Sequence, residues 1–390
     1  MENGNKQNSR FLRALSYVLV AVIAACITFF VCLLTIGRVS KLEQLEMVIL
    51  EYFVGEADPV KMQDAAATAM VDSLGDKWSY YIPASQYDSY MHQMENSYVG
   101  IGVTIQEDEE SKGILVLQVA PGSGAEAAGI VPGDLIIRVE EQTVAEIGMD
   151  AAADRISGEE GTSVSVTVLR NGEELSFSVM RQVIELTVAE GEMLEGNIGY
   201  VRITNFDERC AQDTIAAVDA LVEQGAEAII FDVRFNPGGY TTEMVAVLDH
   251  LLPEGQVFRT VDYQGNEEIQ YSDADCIDLP FAVLINEYSI SAAEFFAAAL
   301  DEYDRAVLVG DATTGKGNYQ MLFPLNDGSA VGLSSGKYFT PKGISLADVG
   351  GLKPEIPVEV DEETFAKIYG GVLEPGEDPQ LQAAVEALKS

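Results

Sequence analysis

From Asn197 onward, short apolar runs that read as strands alternate with longer stretches of helical spacing. Gly199 to Thr204, Ala228 to Val233, Phe281 to Ile285 and Ala306 to Val309 are the strand-like runs, too short for helices and largely apolar. Between them, Cys210 to Glu223, a segment reaching about Leu252 and another beginning near Ala292 carry helical periodicity. This order predicts an α/β layered fold with crossover connections. In such folds chemistry sits in the loops at strand ends. Two loops qualify, the Asn236-Pro237-Gly238-Gly239 turn and the segment Asn286 to Ser291.

The chain of 390 residues is too long for one ordinary compact domain, and its earlier parts have different patterns. Ala14 to Ile36 is an uninterrupted apolar run without a charged residue, long enough to cross a hydrocarbon core of roughly 30 Å as a helix. Lys6, Arg10 and Arg13 precede it, a bias toward a cytoplasmic N-terminus. No small-x-small cleavage site closes the run, so a signal anchor is expected rather than a cleaved signal peptide. Next, Leu42, Leu45, Val48 and Ile49, then Ala65, Ala69 and Met70, give a helical arm that ends at Leu74-Gly75. Its apolar stripe serves either to pack on the rest of the fold or to dimerise.

Tyr98 to Arg181 shows alternating runs such as Gly113 to Val119 and Ser163 to Leu169, with Asn171-Gly172 as a hairpin signal. Gly100-Ile101-Gly102-Val103, Ala128-Gly129-Ile130 and Gly133-Asp134 make this segment resemble a PDZ domain. Backbone N–H groups in such a glycine-rich turn can hold a peptide's C-terminal carboxylate while the peptide adds a strand to the sheet edge.

Composition excludes several functions. With 63 acidic against 23 basic residues the net charge is -40, which disfavours nucleic acid as a partner. Two histidines, His92 and His250, leave little room for a His-rich metal site or a His-based triad. Cys26 and Cys32 lie in the apolar run, so no disulfide framework follows; an extracytoplasmic location permits but does not require pairing of Cys210 with Cys276.

Ser291 lies where a strand gives way to an Ala-rich helix, so its hydroxyl faces unpaired N–H donors and the positive helix end. Ser291-x-x-Glu294 is equally a capping box. Gly315-Lys316-Gly317 follows in a loop before a strand beginning near Tyr319. A lysine serves as general base when burial lowers its pKa, although most loop lysines are simply solvated. Gln320 stands where it can orient the amine. Gly310 to Lys316 has phosphate-loop spacing, but Gly317 replaces the required Ser or Thr and a strand follows instead of a helix, which rejects nucleotide binding.

Together these motifs resemble the carboxyl-terminal processing, or tail-specific, protease family, from about Leu45 to Pro357. The matching pieces are Leu74 to Ser79, Asp232-x-Arg234-x-Asn236 to Gly239, Ser289-Ile290-Ser291-Ala292-Ala293-Glu294 and Gly315-Lys316-Gly317-x-x-Gln320. Tyr338 to Gly343 and Gly351 to Glu355 resemble the family's closing segments. The resemblance makes Ser291 the nucleophile, Lys316 the general base and Gln320 its orienting partner, with Ser289 excluded. It implies an oxyanion hole from backbone N–H groups near Gly238 or Gly239 and of Ala292. Phe235, where the family carries a polar residue, Ile290 beside the nucleophile and Ser157-Gly158, where relatives carry Arg-Gly, are departures.

The reading is therefore a multi-domain chain. It has a cytoplasmic tail (1–13), a transmembrane helix (14–36), a helical arm (37–95) and a PDZ β-sandwich or barrel-like domain (96–183). An α/β protease core of crotonase-like layers (184–363) and a C-terminal helical tail (364–390), read as part of an intersubunit contact, complete it. The expected activity is a bacterial, membrane-anchored, dimer-prone serine endopeptidase. It takes protein substrates with apolar C-termini and needs no metal or organic cofactor. The alternative is an inactive PDZ scaffold in the envelope.

Overall fold

The computed structural model describes residues 16–17, 19–30, 40–108 and 111–389, which fall into two units, 1–81 and 82–390. Residues 19–30 of the apolar run are helical, while both of its ends lie outside the described residues, as does the tail 1–13. Among the described residues no helix is long and apolar enough to cross a membrane.

In the first unit, α1 (Lys41–Tyr52) starts at a capping box in which Ser40 and Glu43 each bond the other's N–H. α2 (Pro59–Asp72) starts with Asp58 accepting from Val60 and Lys61, and Pro59 takes its first position. The two helices line a groove with Leu42, Leu45, Ile49, Met62 and Met70, and α1 has no buried residue. The expected arm breaks at Tyr81, because α3 (Ala84–Met94) belongs to the second unit.

The second unit opens with the β-rich module. β1 (Ser97–Gly100) pairs with β7 (Gln182–Glu185). β2 (Val103–Asp108), β3 (Gly113–Val119), β4 (Leu135–Val139), β5 (Ser163–Arg170) and β6 (Glu173–Met180) form an antiparallel sheet in that order, with β2 at its edge. The β5–β6 hairpin turns at Asn171-Gly172, both with positive φ (54° and 84°), as a primed two-residue turn requires. α4 (Gly124–Ala128) and α5 (Met149–Ile156) cover the sheet, and Ile101, Ile114, Ile136, Val164, Val166 and Ile156 make its core.

The α/β core is a sheet in the order β8 (Ala189–Leu194), β9 (Ile198–Ile203), β10 (Ala228–Asp232), β13 (Phe281–Ile285), β14 (Ala306–Gly310) and β17 (Ile356–Pro357). Only the β8–β9 pair is antiparallel. β10 and β13 are buried at every residue, which is why they read as unbroken apolar runs. On one face Ile229, Phe231, Val283 and Ile285 meet α6 (Cys210–Glu223), α7 (Thr241–Leu251) and α8 (Ala292–Glu302). On the other, Ile230, Ala282 and Leu284 meet Leu381, Ala384 and Val385 of α10 (Pro379–Leu388). α10 is thus a layer of its own chain's core, and Leu381 and Val385 each contribute about 1.5–3 kcal/mol by burial. A second, antiparallel sheet holds β11 (Gly255–Asp262), β12 (Glu267–Ser272), β15 (Asn318–Pro324) and β16 (Ala330–Phe339). Cys210 and Cys276 are free thiols.

A buried ionic network fastens α10 to the end of β10. Arg234 donates to Asp232 (2.9 and 2.5 Å), to Asp378 (2.8 Å) and to Gln380 (2.9 Å), and Tyr200 donates its hydroxyl to Asp232 (2.7 Å). Burial pushes the Asp232 carboxyl upward, but the Arg234 guanidinium and the Tyr200 hydroxyl outweigh it and hold the group below the usual range. Arg234→Met leaves two buried carboxylates without their cation and is expected to lower unfolding free energy by roughly 3–5 kcal/mol. Denaturant titration measures this; an unchanged midpoint and slope would remove the network's structural role.

Candidate active site

Two turns at the C-terminal ends of neighbouring parallel strands build the site. After β10 the chain runs through Val233 to Gly239, and after β13 through Asn286 to Ser291. They are bonded to each other. The Asn286 side-chain oxygen accepts from the N–H of Phe235 (3.1 Å) and of Tyr288 (3.0 Å), and Ile290 N–H donates to Asn236 O (2.9 Å). Gly238 (φ 97°) is pressed against the second turn, where an added Cβ would lie 2.7 Å from Ile290 O and 2.8 Å from the Ser291 Cβ. Any side chain there would displace the serine.

The two serines have different surroundings. Ser289 is fully buried, its hydroxyl donating to Val233 O (2.7 Å) and accepting from Asn286 N–H (3.0 Å). Ser291 stands at the start of α8 in a strained backbone conformation, φ 57° and ψ −120°. Its side chain lies near the phenol of Tyr338. Tyr338 is itself buried among Phe258, Phe295 and Tyr319. Burial pushes its phenol up to about 12, so it stays protonated at working pH.

Glu294 joins Ser291 to Lys316. Its carboxylate is completely buried; Oε2 accepts from Ser291 N–H (3.0 Å) and Lys316 N–H (2.9 Å), and Oε1 from the Thr313 hydroxyl (2.6 Å) and Gly315 N–H (2.7 Å). The capping residue thus reaches beyond its own helix to fix the lysine loop. Thr313 is bonded in turn to Leu352 in both directions, through its hydroxyl (2.9 Å) and its N–H (3.0 Å), and Gly317 O accepts from Tyr338 N–H (3.0 Å). Lys316 is partly buried, and a strand, β15, follows it. Gln320 donates to Ser334 Oγ (3.1 Å) and Asn318 O (3.2 Å), which fixes its amide within the β15–β16 pair that follows the lysine loop.

Of the expected oxyanion donors, Gly238 N–H donates to the Asn236 side-chain oxygen (2.9 Å) within its own turn. Ala292 is the first residue of α8, its N 3.0 Å from the position of a Gly238 Cβ. Phe235 (φ 62°) stacks on Tyr288 and meets Phe365 and Tyr369 of α9 (Glu362–Tyr369), an aromatic cluster beside both turns. Beyond the core, Gly100 to Val103 joins β1 to β2, with Ile101 O accepting from Ala125 and Gly102 O from Ala120. Beside Gly158 stands the Arg181 side chain, which donates to Ile156 O (2.8 Å) and Arg155 O (2.6 Å).

Glu294 and Tyr338 are the residues that motif reading undervalues, one seen as a cap and the other as part of a closing segment. Glu294→Gln puts an amide donor where two N–H groups converge. It is expected to lower kcat/KM for peptide hydrolysis at least about a hundredfold with the fold retained by circular dichroism. A loss under threefold would show that the carboxylate is not what aligns the two loops.

The profile of peptidase family S41 matches residues 197–358, and that of the PDZ domain matches residues 90–169. The chain is 32% identical over 335 residues to the carboxy-terminal processing protease CtpA of Bacillus subtilis, covering 85% of this chain and 71% of that one. It is 31% identical over 340 residues to a carboxyl-terminal-processing protease of Synechocystis, with coverage of 85% and 78%. A solved photosystem II D1 C-terminal processing protease matches with 26% identity, a TM-score of 0.49 and coverage of 88% and 93%. With a PDZ module ahead of its α/β core and this likeness along most of its length, the chain belongs to the carboxyl-terminal processing serine proteases of peptidase family S41.

Proposed function

We propose that this chain is a membrane-anchored serine endopeptidase that hydrolyses peptide bonds through a Ser291/Lys316 dyad. The observation that carries this reading is Glu294, whose single oxygen Oε2 accepts from the backbone N–H of both residues (3.0 and 2.9 Å) and so ties their two loops together. Ser291 Oγ attacks the scissile carbonyl while the Lys316 amine takes its proton. The tetrahedral oxyanion is received by the N–H groups of Gly239 and Ala292 at the helix start. Collapse breaks the C–N bond, the lysine returns the proton to the leaving amine, and water then releases the acyl group by the same route in reverse. Gln320 orients the amine.

The PDZ module supplies the substrate. Strand β2 lies at the sheet edge next to Gly100 to Val103, so an apolar C-terminal tail can extend the sheet from β2 and place its carboxylate at the loop. The apolar run 14–36 anchors the chain with the catalytic part outside the cytoplasm, and the apolar groove between α1 and α2 suits a homodimer contact. An inactive scaffold is the competing reading.

The test is cleavage of casein by the wild type, Ser291→Ala and Lys316→Ala, with and without an apolar tail peptide. Each variant is expected to lose activity by roughly three orders of magnitude or more while remaining folded. Equal inertness of all three, peptide included, would favour the scaffold. Deletion of residues 96–183 is expected to abolish stimulation by the tail peptide; unchanged stimulation would separate the PDZ module from substrate capture.

A further inference from the structure

Asp207 has no role in the dyad, yet it lies against the turn that would hold the oxyanion. It follows Phe206, whose N–H donates to Gly238 O (2.7 Å) and whose carbonyl accepts from Tyr240 N–H (2.8 Å), so the segment pairs with the glycine turn as a short parallel bridge. Asp207 is only 7% exposed, and its Oδ1 is the one buried carboxylate oxygen without a hydrogen-bond partner among the described residues. That oxygen lies 2.6 Å from where a Cβ on Gly239 would stand.

The charged surroundings do not answer it. From α6 come Asp213 and the Cys210 thiol, from α7 Glu243; the two carboxylates accept from the N–H groups of Val188 (3.2 Å) and Ala211 (2.9 Å). Burial first, then Glu243, Asp213 and Asp207, push the Cys210 thiol up to about 12, so this region is electrically negative. Arg209, the adjacent cation, is directed instead to Glu185 (2.6 Å) and to the carbonyls of Leu186 (2.6 Å) and Asn96 (3.1 Å). Tyr240 is the residue next after Gly239. With burial as its cause, the Asp207 carboxyl is raised to about 7.

We propose that Asp207 is a positioning residue of the oxyanion turn and must be uncharged for the turn to work. As a neutral carboxyl it packs on Gly239. Once ionised, it sets an uncompensated negative charge behind the N–H that receives the oxyanion, which raises the energy of the transition state. The inference rests on the Ser291 reading above and on Gly239 as a donor. It concerns one limb of the pH profile, where Asp207 sets the decline above neutrality.

The test compares kcat/KM of the full chain and Asp207→Asn from about pH 5.5 to about pH 9, with the rate of Ser291 labelling by a fluorophosphonate as a second readout. The ratio of wild type to variant is expected to be constant below about pH 6 and to fall roughly tenfold by about pH 8. A ratio independent of pH overturns the proposal. If the Asn variant misfolds, the carboxyl carbon of Asp207 is titrated by NMR in Ser291→Ala: a midpoint near 7 supports the proposal, and one in the ordinary carboxylate range overturns it. The wild-type melting temperature gives the same sign, since a carboxyl raised in the folded state costs stability as pH climbs from about 4 to about 7. Labelling and cleavage that survive in Ser291→Ala would remove the catalytic reading and this inference together. Labelling confined to Ser291 with a flat ratio removes the inference alone.

Discussion

A single buried carboxylate, that of Glu294, decides the geometry of the site. Four donors from two separate loops converge on it. A carboxylate taken out of water requires such donors, and the loops in turn require an acceptor, so each side of the arrangement exists only with the other. The strained backbone of Ser291 persists because this convergence over-determines it.

Behind the turns the scaffold is rigid for a related reason. The Asp232–Arg234–Asp378 network joins the residue just before the glycine turn to a helix more than a hundred positions later, with every partner buried. Ionic groups in such a place do more for position than for net stability, because desolvation offsets much of the attraction. The apolar layers on both sheet faces supply the stability, and the network sets where the strand end and its turn stand. Asp207 is the exception, a buried carboxyl whose Oδ1 has no hydrogen-bond partner among the described residues.

Much of this was legible in the residues. The runs Phe281–Ile285 and Cys210–Glu223 and the start of α8 at Ala292 fall where periodicity put them, because fully buried strands and amphipathic helices carry their environment in their composition. β8, β11, β12 and β16 escaped the pattern. They are edge or half-exposed strands with mixed polarity, such as Glu190 and Glu192 in β8, and their only clear signal is the partner beside them. The C-terminal helix was visible as a helix, but its place in the core was not, since amphipathicity does not name the surface it covers.

The sequence by itself determined the order of elements, the glycine turns, the two candidate serines and the lysine, because these follow from local spacing and backbone preference. Only the tertiary structure showed how the surroundings of the two serines differ. It engaged Ser289 with Val233 O and left Ser291 facing Tyr338, a contact between residues 47 positions apart. It likewise brought Asp207 against Gly239. Hydrogen bonds and burial of this kind depend on which loops meet in space, and no local pattern of residues encodes that meeting.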